Sequence, residues 1–156
     1  MNYVEMLNKK LTDFASTFGI ESVSLGQDFC YSPASETITY TIYWQDNDNE
    51  FISLVDEKYN ADIHDWFFIF SLLHEIGHHE TWDELTQEDL DNDLLLRNAI
   101  PFFEHQGLAY INLKAEHLAT SWALDFIESN LEPIWDFQSE CWEIMQKIYE
   151  EEGLTD

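Results

Sequence analysis

The sequence predicts a small α+β domain in which an N-terminal helix is followed by a small antiparallel sheet and then by a run of helices. Three observations carry this. Residues 2–17 repeat apolar side chains at helical spacing, residues 37–44 alternate in period two, and beyond Asp62 the apolar pattern is helical again, broken by capping signals. With 156 residues, 45% hydrophobic and 15% aromatic, the chain has one domain's length and enough apolar mass for a core, so residues 1–156 are expected to form a single domain.

The first helix places Val4, Met6, Leu7, Leu11, Phe14 and Ala15 between polar Asn8, Lys9, Lys10 and Asp13, and ends near Gly19. Residues 20–25 form a weak strand. After the turn Ser32-Pro33-Ala34-Ser35, the run from Thr37 to Trp44 is the clearest strand. The polar segment 45–50 reads as a turn, and Phe51–Val55 as a second strand closing a hairpin. Asn60 or Asp62 is available to cap the next helix, which runs to about Trp82. Thr86-Gln87-Glu88-Asp89 resembles a capping box for a helix through about Ala99, halted by Pro101. Asn112 is placed to cap a helix from Leu113 to about Ser129, and Pro133 suits the first turn of a last helix ending near Gly153.

Charge restricts the partners. Thirty-two acidic residues against six Lys and Arg give a formal net charge of −26, which argues against direct nucleic-acid binding and favours a basic partner or substrate. No run approaches the roughly 20 apolar residues of a membrane span, and no basic segment followed by an apolar stretch opens the sequence, so a cytoplasmic protein is expected. Cys30 and Cys141 lack CxxC spacing and read as reduced thiols.

The chemistry sits in His74-Glu75-Ile76-Gly77-His78, an HExxH pattern preceded by the apolar run 66–73. Residues four apart on a helix project from nearly the same face, so His74 and His78 can converge on one metal ion while Glu75 reaches the water beside it. Imidazole nitrogens suit Zn2+, and the carboxylate suits a general base. Gly77, between the two histidines, would let another backbone come close.

Catalytic zinc usually takes a third protein ligand. Six residues beyond His78 stands Glu84, where another zincin pattern has histidine. Glu116 fits better: Ala119 and Ala123 follow it at i+3 and i+7, a small-residue track along which a second helix can approach and deliver the carboxylate. His79 and His117 point away from the neighbouring ligands on their helices, while His105 and Tyr110 are alternatives for polarising a substrate carbonyl.

HEIGH at 74–78 followed by EHLATSWA at 116–123 resembles the ImmA/IrrE-type gluzincin metallopeptidases, whose pattern is HExGH and then an ExxAxxFA-like stretch. The resemblance implies that His74, His78 and Glu116 bind zinc, that Glu75 is the general base, and that the fold is a minimal gluzincin with a strand before the active helix able to hold an extended peptide. It also implies a setting in phages, mobile elements or stress responses, where such proteins are linked to repressor cleavage. Thr120 stands where the family favours Asn or Asp, and Trp122 replaces the usual Phe. The activity expected is zinc-dependent hydrolysis of a protein or peptide. The alternative is an acidic, non-enzymatic binding protein or nucleic-acid mimic with a structural or vestigial zinc site; the acidic balance supports it, and the intact Glu75 favours the enzyme.

Overall fold

The computed structural model describes residues 1–44, 46–102 and 106–154. Helix α1 (Tyr3–Ser16) leads into three short strands, β1 (Ser22–Leu25), β2 (Cys30–Ser32) and β3 (Thr37–Tyr40). Six helices follow: α2 (Asp46–Tyr59), α3 (Phe67–Thr81), α4 (Gln87–Ala99), α5 (Gln106–Ile111), α6 (Lys114–Ser129) and α7 (Leu131–Glu151). The α+β class is as the sequence predicts. Among the described residues no helix is long and apolar enough to cross a membrane.

The sheet differs from the expected one. Its order is β1-β3-β2, with β1 parallel and β2 antiparallel to β3, so it is mixed rather than purely antiparallel. Phe51–Val55 is not a strand but part of α2, because Ile52, Val55 and Tyr59 recur at i, i+3 and i+7 and turn one face inward. The expected turn therefore lies largely within α2, and Gln45 lies outside the described residues. Strand β3 stops at Tyr40 rather than Trp44: the chain leaves the sheet at Thr41, and the Tyr149 hydroxyl of α7 donates to the Ile42 carbonyl.

The two sheet edges are treated differently. Helix α1 closes the β1 edge, since Asn8 Oδ1 accepts the Leu25 amide at 3.1 Å and Thr12 Oγ1 accepts the Val23 amide at 2.9 Å. Asn8 also takes the hydroxyl of the buried Tyr40 at 2.7 Å. Strand β2, on the other side of β3, lies beside α3. An edge with satisfied amides resists further strand pairing, and β2 forms the sheet's other edge.

The core runs from Leu7, Leu11 and Ala15 of α1 through Ile38 and Tyr40 to Ile69, Phe70, Leu72, Leu73 and Ile76 of α3, and on to Cys141 and Met145 of α7. Helix α3 is thus buried on most sides, as its apolar run predicts, and it packs most extensively on α6. Neither Asn60 nor Asp62 caps it; a 3-10 turn, His64–Trp66, precedes it, and Asp56 accepts the Ile63 amide at 2.9 Å. The Thr86–Asp89 capping box forms as expected. Asn112 does not cap α6. Its side chain takes Lys58 Nζ at 2.7 Å, and the free α6 amides of Lys114 and Ala115 go to the Asp93 carboxylate at 2.8 and 3.0 Å. Asp93 is the one buried residue of α4, and no α4 side chain joins the core.

Candidate metal centre

Helices α3 and α6 meet where glycine permits it. A Cβ built on Gly77 would lie 2.6 Å from the Ala119 carbonyl oxygen and 3.0 Å from its Cα, so the backbones touch without an intervening side chain. This contact sets the site. His74, one turn before Gly77, and His78, the residue after it, face α6, and Glu116, one turn before Ala119, faces them. His74 Nε2 lies 2.7 Å and His78 Nε2 3.3 Å from the same oxygen, Glu116 Oε2. The three expected ligands therefore converge on one point.

A second carboxylate is close: ligand atoms of His74, Glu75 and His78 lie within 4.8 Å of one another. Glu116 is the carboxylate in direct contact with the imidazoles, and Glu75 lies within 4.8 Å of them. Glu75 is buried and takes the backbone N–H of Tyr31, from β2. Burial pushes its carboxyl upward; the two imidazoles and the Tyr31 amide oppose this, and the net direction stays up. An elevated carboxyl nearer neutrality suits a group that must both accept and return a proton.

Burial alone would raise the Glu116 carboxyl as well. Hydrogen bonds and charge from His74 and His78 overwhelm it, holding Glu116 well below the usual range. For His74 burial works downward, but the bond and charge of Glu116 prevail and raise it. The metal-free centre is thus a coupled histidine–carboxylate pair in which Glu116 favours the protonated form of His74. A zinc ion would have to displace the proton of His74, so zinc affinity should fall as pH drops through that raised pKa. Chelator competition at a series of pH values checks this, and an affinity independent of pH between 6 and 8 (roughly, around the ordinary histidine pKa) would contradict it.

Five neighbours shape the centre around His74, Glu75, His78 and Glu116. Thr120, fully buried and one turn past Glu116, places Oγ1 3.1 Å from His74 Nδ1, which leaves Nε2 to face the centre. The i+4 relation of Thr120 to Glu116 is the signal that could have found it. Removing such an orienting partner typically costs about 10–100-fold in metal affinity. Thr120→Val, close in volume, is therefore expected to weaken zinc binding by about that factor while leaving the helices intact, measured by chelator competition with circular dichroism alongside.

Tyr110 lies in α5 rather than in a loop, and its hydroxyl donates to Glu116 Oε1 at 2.7 Å. Burial and the neighbouring carboxylates keep it protonated. Arg97, the sole arginine, approaches the same oxygen at 3.8 Å and lies over the Tyr110 ring. Phe51 and Phe70 each stand 5.9 Å from the His74 ring and dry that side. Sequence gave no sign of Arg97 or Phe51, since neither shares an element with the motif.

The other histidines are placed elsewhere. His79 bonds the Tyr31 hydroxyl at 2.7 Å, and His117 stacks on Tyr59, whose hydroxyl meets its Nδ1 at 2.7 Å. Both face away from the centre, as the helical spacing predicts. Glu84 falls in a 3-10 turn after α3, and His105 lies outside the described residues.

No family model, curated protein or solved structure matches this chain.

Proposed function

We propose that this chain is a zinc-dependent metallopeptidase of the ImmA/IrrE gluzincin type, with His74, His78 and Glu116 as zinc ligands and Glu75 as general base. The observation that carries the reading is the convergence of two imidazole nitrogens on one Glu116 oxygen, with Glu75 beside them. The donor set fits the ion: two neutral nitrogens and one carboxylate are the usual complement of a catalytic zinc with an open position.

Zinc held there would supply Lewis acidity, polarising a carbonyl and making a water molecule acidic enough to attack it. The protein's residues do the rest. Thr120 holds the His74 ring, and Tyr110 holds Glu116 by its second oxygen. Glu75, steadied by the Tyr31 amide, takes the proton from the attacking water and returns it to the leaving amine. Strand β2 is the edge beside Glu75, and an extended substrate lying along it, without the Tyr31 amide that Glu75 takes, would bring its scissile carbonyl to the centre. The net charge of −26 favours substrates with basic segments; the resemblance to the gluzincin family adds a cytoplasmic, mobile-element or stress-related setting.

The test is metal content. Protein purified without added metal or chelator should carry about one zinc per chain by mass spectrometry, and His74→Ala prepared identically should carry almost none. Wild-type protein that neither contains nor takes up zinc would exclude the peptidase and leave the acidic binding protein as the function to pursue.

A further inference from the structure

A cavity of about 570 Å³ opens at the start of α3, between the end of the sheet, α2 and α7. None of its lining residues belongs to the metal centre. Its walls are aromatic: Trp44 and Phe67 from one side, Trp135 and Trp142 from α7 on the other. Its polar rim is acidic, with Asp65 and Glu143, and among the described residues no Lys or Arg lines it. The remaining basic group, His64, is turned to Asp56 at 3.3 Å. Gln138, at the base, is already committed: its carbonyl accepts the Ile69 amide at 3.0 Å and its NH2 donates to the Asp65 carbonyl at 2.9 Å.

The walls are set before any ligand arrives. Trp44 packs edge-on against Phe67 with centroids 4.5 Å apart, and Trp135 against Trp66 at 4.8 Å. Yet Trp135 and Trp142 remain 43% and 46% exposed. Indole faces partly open to solvent, with Asp65 and Glu143 among the lining and, among the described residues, no Lys or Arg there, make a receptor for positive charge on an apolar stem.

We infer that this cavity binds an organic cation, an alkylammonium or guanidinium group carried on a hydrophobic stem, with the Trp135 and Trp142 faces and with Asp65 and Glu143. The same chemistry belongs to a free amine and to a Lys or Arg side chain of a partner polypeptide. A neutral apolar ligand would leave the carboxylates without a role, and an anion would meet them directly. The inference is independent of the metal centre.

The tryptophan indole N–H signals of the full chain, followed by NMR, separate this site from diffuse attraction to an acidic surface. The probes are butylguanidinium, its neutral isostere butylurea, and the amidated peptide acetyl-Ala-Leu-Arg-Leu-Ala with its citrulline counterpart. Butylguanidinium or the arginine peptide should shift Trp44, Trp135 and Trp142 saturably and leave Trp82 and Trp122 in place. The neutral partners should bind at least about fivefold more weakly. Trp142→Leu, which keeps apolar volume but removes the π face, and Glu143→Gln should each weaken the cation; the other indole signals report whether each variant is folded. Tighter binding of the peptide assigns the cation to a polypeptide, and equal or tighter binding of butylguanidinium assigns it to small amines. Shifts spread evenly over all tryptophans, equal binding of the neutral probes, unchanged affinity in both folded variants, or no saturation would overturn the inference.

Discussion

Glu75→Gln is expected to lower peptidase turnover by about 10²–10⁴-fold while leaving about one zinc per chain. The amide is nearly isosteric with the carboxylate and can still meet the Tyr31 amide through its carbonyl oxygen, so the geometry of α3 and β2 should persist. What is lost is the acceptor for the water proton and the donor for the leaving amine. Zinc should remain because Glu75 stands beside the ligand set, while Glu116 is the carboxylate at 2.7 and 3.3 Å from the two histidines. Paired metal analysis and cleavage of a confirmed substrate check both halves. Full activity in the variant would remove Glu75 from the mechanism; loss of zinc would make it a ligand.

Gly77→Ala should cost about 1–3 kcal/mol of stability, even though alanine is the better helix former by about 1 kcal/mol. The added methyl would stand 2.6 Å from the Ala119 carbonyl oxygen, a backbone atom that moves only if α6 moves. Helix α6 carries Glu116 and Thr120, so its displacement would also separate the third ligand and the orienting hydroxyl from His74. Zinc affinity should fall together with the urea midpoint. A variant as stable as the parent, with unchanged zinc binding, would show that the two helices have slack at this crossing.

The convergence of His74, His78 and Glu116 was legible because each segment of it carries a local helical relation. His74 and His78 are i, i+4; Glu116, Ala119 and Ala123 are i, i+3, i+7; and Gly77 opposite Ala119 is the small-on-small contact that those alanines imply. The α+β class was legible for the same reason, from periodicity. The sheet was less so. A five-residue apolar window at Phe51–Val55 satisfies strand and helix patterns alike, and the decision came from Tyr59 and the flanking residues turning one face to the core. Strand order depends on contacts between residues distant in sequence, such as Asn8 and Thr12 of α1 bonding β1, and periodicity contains no trace of these. The capping of α6 was misread for a similar reason: Asn112 is the local choice, but Asp93 arrives from another helix with a carboxylate for two amides at once.

That last arrangement divides the His74–His78–Glu116 cluster into a fixed half and an adjustable one. His74 and His78 are borne by a helix sunk in the core, whereas the first turn of the helix bearing Glu116 is tied down by Asp93 of α4, whose other side chains lie outside the core. Local opening of α4 releases the Lys114 and Ala115 amides without disturbing α3. Those two amides should therefore exchange their hydrogens at the pace of α4, which makes the placing of Glu116 depend on a helix outside the core.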